Sequence, residues 1–200
     1  NTNNADNQSQ ENNLTVYSDA IEWGDCPFSG DNSQLTCGYL YVPEDHDNLN
    51  GEEISLAFVV IESSTGKNTY PPLIYLEGGP GGSALDGMQP LWLNSPLLAD
   101  RIIVLIDQRG TGYSLPSLNC TEYDDGILED DSEITSACYK RLTEEGINLS
   151  VYNSAQSAAD IASLRIALGY DEVDLLGISY GTRLALTVMR DYPEGIRRVI

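Results

Sequence analysis

The sequence predicts an α/β protein whose mostly parallel sheet carries helices on both faces. Two stretches, PLIYLEGG (72–79) and RIIVLIDQRG (101–110), contain short runs, 72–76 and 102–106, that are apolar without alternation. Strands of that kind are buried on both faces, as in a sheet covered by helices. Further on, a strand pattern in DEVDLLGIS (171–179) runs into a helical pattern in YGTRLALTVMRDYP (180–193) and then into RRVI (197–200). Strand, helix and strand in succession are the signature of a doubly wound sheet.

Taken in order, residues 1–15 form a polar tract, too poor in apolar side chains to bury a core, and read as a disordered leader. LTCGYLYVP (35–43) and EISLAFVVIE (53–62) are rich in β-branched and aromatic residues and flank the turn formers EDHDNLNG. They predict an antiparallel pair. LWLNSPLLAD, between the two apolar runs, predicts a short helix. Residues 115–150 are acidic and read as the least regular, loop-like stretch. SAQSAADIASLRIALG (154–169) is the clearest helix, with Ser154 at its N-cap, Ile161, Leu164 and Leu168 on one face and Gly169 at its C-terminal end. Pro193 ends the helix after residue 180.

Charge narrows the partners. The 200 residues carry a net charge of -21, with Lys and Arg scarce. Phosphate binding needs clustered cations, which sets aside nucleic acid and anionic lipid. No apolar run is long enough to span a membrane. The four cysteines fall as two local pairs, Cys26 with Cys37 and Cys120 with Cys138, without the spacing of a zinc site. They read as two disulfides in an oxidising compartment, against the alternative of four reduced thiols. With the polar start, this predicts a secreted or cell-envelope protein, either freed of its leader or held by a lipid anchor upstream. Neither a metal nor a cofactor is expected.

Gly177-Ile178-Ser179-Tyr180-Gly181 matches G-x-S-x-G in the context that gives this pattern meaning, strand before and helix after. A serine on such a sharp turn projects its hydroxyl from the sheet edge, and the helix behind it aims backbone amides at an oxygen that becomes negative. Ser179 is therefore the candidate nucleophile, and the Tyr180 N–H one oxyanion donor. The second donor is expected from Glu77-Gly78-Gly79-Pro80-Gly81-Gly82, with the Gly79 amide first and Gly78 as runner-up. A phosphate loop is disfavoured there because no Lys-Ser/Thr follows.

YLEGGPGGS (75–83), DQRGTGYS (107–114) and ADIASLRIALG followed by LLGISYGTRLALTVMRDYP together resemble the prolyl and tripeptidyl aminopeptidase group of α/β-hydrolase serine peptidases. The likeness runs from about Trp23 to the last residue. The opening EWGDCP…LTCGYLYVPEDH is similar to the exported tripeptidyl-type members. Glu77 departs from the histidine usual in prolyl members, which argues against strict N-terminal proline specificity. The resemblance implies an α/β-hydrolase fold, a peptide substrate, and structural roles for Asp107 and Arg109 in tying the DQRG turn to the oxyanion loop. It also implies that residues 16–200 form the N-terminal part of the catalytic domain.

In this fold the acid and the histidine follow the serine. No histidine follows Ser179, and Asp191 and Glu194 come too early for the acid. His46, the sole histidine, reads as an exposed residue of the first hairpin turn rather than as the base. The expectation is an incomplete enzyme, whose missing C-terminal part carries the cap, the Asp and the His. The leading reading is an exopeptidase acting through an acyl-enzyme on Ser179. The alternatives are a carboxylesterase or lipase-like hydrolase, and a non-catalytic binding protein on the same fold.

Overall fold

The computed structural model describes residues 20–28, 33–86, 89–123 and 130–200, so the predicted leader at 1–15 lies outside the described residues. The β-branched runs at 35–43 and 53–62 form the expected antiparallel pair, β2 (Leu35–Pro43) and β3 (Glu53–Ile61), with β1 (Ile21–Gly24) along the outer side of β2. The apolar runs give β4 (Leu73–Leu76) and β5 (Ile103–Ile106). Helix α1 (Gln89–Leu93) and a 3-10 turn at Pro96–Ala99 lie between them. The second half adds α2 (Asp131–Glu144), α3 (Ser154–Ala167), β6 (Val173–Gly177), α4 (Tyr180–Asp191) and β7 (Ile196–Val199).

The seven strands of the described residues form one sheet in the order β1-β2-β3-β5-β4-β6-β7. β2, β4, β5, β6 and β7 run one way, and β1 and β3 run against them. Side chains alternate across the pleat, and here both faces are apolar. Phe58, Val60, Ile74, Leu76, Val104 and Ile106 pack with Ile161 and Leu164 of α3 and Leu184 and Val188 of α4. Their neighbours Val59, Ile61, Leu73, Tyr75, Ile103 and Leu105 face Leu85, Trp92 and Leu98 on the other side. That double burial is why β4 and β5 read as unbroken apolar runs.

One expectation fails. The segment read as loop-like contains the fourteen-residue helix α2. Asp130 caps it, its carboxylate accepting from the Ser132 N–H at 2.8 Å. Only Ile134, Cys138 and Leu142 are buried, a single stripe at four-residue spacing on an otherwise acidic helix. Such a narrow stripe is easily lost in a polar stretch. The Cys120–Cys138 disulfide ties it down, and Cys26–Cys37 forms the other bridge. At α3 the cap moves by one residue. Asn153 accepts from the Ala155 N–H at 3.0 Å, and Ser154 is freed for another partner.

The sheet order positions the site. β6 pairs in parallel with β4, Leu76 opposite Gly177, and β5 lies on the far side of β4. The segments that follow β5, β4 and β6 therefore emerge side by side at one edge, beyond the carboxyl ends of parallel strands where α/β folds bind ligands.

Candidate active site

Ser179 lies two residues beyond the end of β6 and immediately precedes α4, at its N-cap position. Its φ of 53° and ψ of -118° make it the only non-glycine residue with positive φ among the described residues. Conformations of this kind are costly for a side-chain-bearing residue and persist only where the surroundings enforce them. Here the Ile178 N–H donates to the Leu76 carbonyl at 3.1 Å, and the Gly181 N–H to the Ile178 carbonyl at 2.8 Å. Gly181 cannot be larger, since a Cβ there would lie 3.1 Å from the Glu77 carbonyl and still closer to that of Leu76. Ser179 is exposed, and its hydroxyl does not cap α4.

The glycine loop after β4 lies against this serine. A Cβ on Gly78 would fall 2.9 Å from the Ser179 Cβ and 3.4 Å from its Oγ. The Gly78 N–H is occupied, donating to Glu77 Oε1 at 2.7 Å. The N–H groups of Gly79 and Tyr180 find no acceptor among the described residues. Gly79, at φ 114°, adopts backbone that a larger residue would resist. Gly78, Gly79, Ser179 and Tyr180 are thus brought to one edge of the sheet, and of the two loop amides considered, Gly79 is the free one.

Asp107 holds the loop in place as expected. Fully buried directly after β5, it accepts from the Ser83 hydroxyl at 2.9 Å, the Leu85 N–H at 3.0 Å and the Tyr113 N–H at 2.9 Å. Burial pushes its carboxyl above the usual range, with these donors pulling the other way. Arg109 does not reach the glycine loop, which corrects half of that expectation. Its Nε and Nη2 clasp the two oxygens of Asp160 on α3, both at 2.7 Å, and its Nη1 donates to the carbonyls of Glu44 and Val151. A carboxylate matching the guanidinium fork captures it, a stronger partner than neutral loop carbonyls. Gln108 makes the second tie instead, donating from Nε2 to the Glu77 carbonyl at 3.0 Å.

His46 also departs from expectation. It sits in the first hairpin turn, yet its side chain is only 8% exposed and its Nε2 lies 2.8 Å from Asp160 Oδ1. The turn folds down onto α3, where the His46 N–H donates to Gln156 Oε1. Burial alone would raise the Asp160 carboxyl, but the Arg109 charge and the hydrogen bonds from Arg109 and His46 hold it below the usual range.

Residues 71–200 match the sequence model of the alpha/beta hydrolase fold family. This chain belongs to that family. The α/β hydrolase is similar over 90% of its length to the tripeptidyl aminopeptidase of Streptomyces lividans, at 29% identity, and covers 37% of that protein. It is 26% identical to serine protease Hip1 of Mycobacterium tuberculosis, again over 90% of its length and 38% of the relative. The chain therefore spans well under half the length of these relatives. Among solved structures, the proline iminopeptidase of Mycobacterium smegmatis shares the fold, with a TM-score of 0.51 at 19% identity, over 80% of this chain and 42% of that one. The likeness to the tripeptidyl aminopeptidase group read from the sequence is borne out.

Between the glycine loop and Tyr180, the α/β hydrolase has an open cleft of about 240 Å3. Pro80 and Gly81 of the glycine loop, Gln108, Asn119, Tyr152 and Tyr180 line it. The Tyr180 hydroxyl lies 2.8 Å from Ser154 Oγ, which joins the start of α4 to the start of α3. Sequence reasoning missed Asp160, Ser83 and Gln108. Asp160 alone had left a signal, as an acid embedded in the apolar stretch of α3.

Proposed function

We propose that this chain carries the nucleophile and oxyanion donors of an extracytoplasmic serine hydrolase that releases residues or short peptides from peptide N-termini. The observation that carries the reading is Ser179, a strained and exposed serine heading α4, with Gly78 packed against it and two amides unoccupied nearby. The tripeptidyl aminopeptidase likeness supports a peptide substrate, and the two disulfides support an oxidising compartment.

In the proposed reaction Ser179 Oγ bonds to the carbonyl carbon of the scissile amide while its proton passes to a general base. The carbonyl oxygen becomes negative and accepts from the Gly79 and Tyr180 N–H groups. Each such donor is typically worth about 100- to 1,000-fold in kcat. Collapse breaks the C–N bond, the base returns its proton to the departing amine, and water then hydrolyses the acyl-serine ester. His46 is not assigned as that base: among the described residues its ring makes no contact with Ser179 and lies buried against Asp160 of α3.

The test uses the full-length protein with a fluorophosphonate probe and peptide mapping. Labelling at Ser179, lost in Ser179→Ala, is the expected result, and an unlabelled wild-type protein sinks the reading. Tripeptidyl and aminoacyl arylamides should be cleaved only with a free N-terminal amine. An esterase would instead favour short acyl esters and ignore that amine.

A further inference from the structure

Glu77 is the residue at which this chain departs from the prolyl pattern, and its side chain is built into the loop beside the nucleophile. Its Oε2 accepts from the buried Tyr75 hydroxyl at 2.8 Å, and its Oε1 accepts from the Gly78 N–H at 2.7 Å. Its stem occupies the room that a side chain on Gly82 would need, 2.9 Å from an added Cβ. Its own carbonyl is held by Gln108 Nε2. A solvated surface glutamate would not be fixed at both ends.

We infer that Glu77 is the positioning residue that selects the oxyanion donor: its carboxylate occupies the Gly78 N–H and leaves the Gly79 N–H as the loop's donor beside Ser179. A loop this rich in glycine has many conformations open to it, because glycine crosses into positive φ at little cost. Gly79 and Gly81 both use that freedom, at φ 114° and 108°. Anchored by the Tyr75 hydroxyl at one oxygen, the Glu77 carboxylate fixes the Gly78 N–H with the other and removes much of it. An oxyanion donor must wait at its post before the charge develops, so an ordered loop acts on the transition state more than on substrate binding.

The inference rests on Ser179 being the nucleophile, and the experiment keeps the two apart. In full-length protein that takes the fluorophosphonate at Ser179, kcat and KM are measured for Glu77→Ala and Glu77→Gln. The alanine variant should lose about 100-fold or more in kcat at nearly unchanged KM, comparable to removing one oxyanion donor. Glutamine keeps an acceptor for the Gly78 N–H and should restore most of kcat. Wild-type kcat in Glu77→Ala, or a glutamine variant as impaired as alanine, overturns the inference while leaving the nucleophile assignment intact. A glutamine variant that raises KM for free-amine substrates at unchanged kcat would make Glu77 an ammonium ligand, and so also overturns it. Should Glu77→Ala not fold, Tyr75→Phe decides. Removing the donor to Oε2 should lower kcat several-fold, and an unchanged kcat counts against the inference.

Discussion

Asp107 and Asp160 are both buried aspartates at the same end of the sheet, yet the fold treats them in opposite ways. Asp107 follows β5 directly and lies among neutral donors, a hydroxyl and backbone N–H groups. Asp160 lies on α3 against a guanidinium and an imidazole. Burial drives the Asp107 carboxyl upward despite its donors, whereas the Arg109 charge brings Asp160 down in spite of burial. Dipoles orient a carboxylate, but it takes a full opposite charge to offset its loss of water. The neutral arrangement belongs to the loop beside Ser179, and the ionic one to the knot that holds the first hairpin onto α3.

The sharpest way to break this contrast is Asp160→Asn, which leaves Arg109 charged and buried without its counter-ion. A loss of about 3–5 kcal/mol is expected, read by chemical denaturation against wild type. Asp107→Asn places an amide donor among three donors and should cost about 1–3 kcal/mol. It should also lower kcat, because Ser83 and Leu85 no longer anchor the glycine loop.

Acid titration sharpens the comparison through opposite signs. Asp160, depressed in the fold, contributes stability that is complete above the ordinary aspartate range and lost as pH falls through its folded value. Asp107, raised in the fold, contributes most below that range, and its contribution fades as pH rises toward its folded value. The wild-type advantage over Asp160→Asn should therefore shrink in acid, and that over Asp107→Asn should not. The smallest effect belongs to His46→Gln. It removes one bond to a carboxylate that Arg109 already neutralises, for about 0.5–1.5 kcal/mol. Activity of the full-length protein should persist, and its loss would reopen a catalytic role for this histidine.

Much of the frame was legible because burial on both faces writes itself as continuous aliphatic runs, and because G-x-S-x-G between a strand and a helix admits few structures. Strand order was not. Nothing local marks Leu76 as the neighbour of Gly177, a pairing decided by the packing of whole layers. The Arg109–Asp160–His46 knot escaped for the same reason, its members being 51 and 114 residues apart. Helix α2 escaped because three buried side chains and one disulfide, rather than a broad apolar face, hold it. Asp160 could have been found by asking what cation an acid in the apolar body of α3 must meet.

The pairing of β6 onto β4 also has a bearing on how the molecule comes to exist. Neither the glycine loop nor the serine turn can acquire its working shape from neighbours in sequence, since each braces the other across the Leu76–Gly177 register. While the chain is still emerging, β4 has β5 on one flank and a bare row of peptide groups on the other, open to any passing strand. The serine turn and the glycine loop therefore take their final shape late in biogenesis, with the same event that closes this vulnerable flank, so a half-made copy is prone to clump.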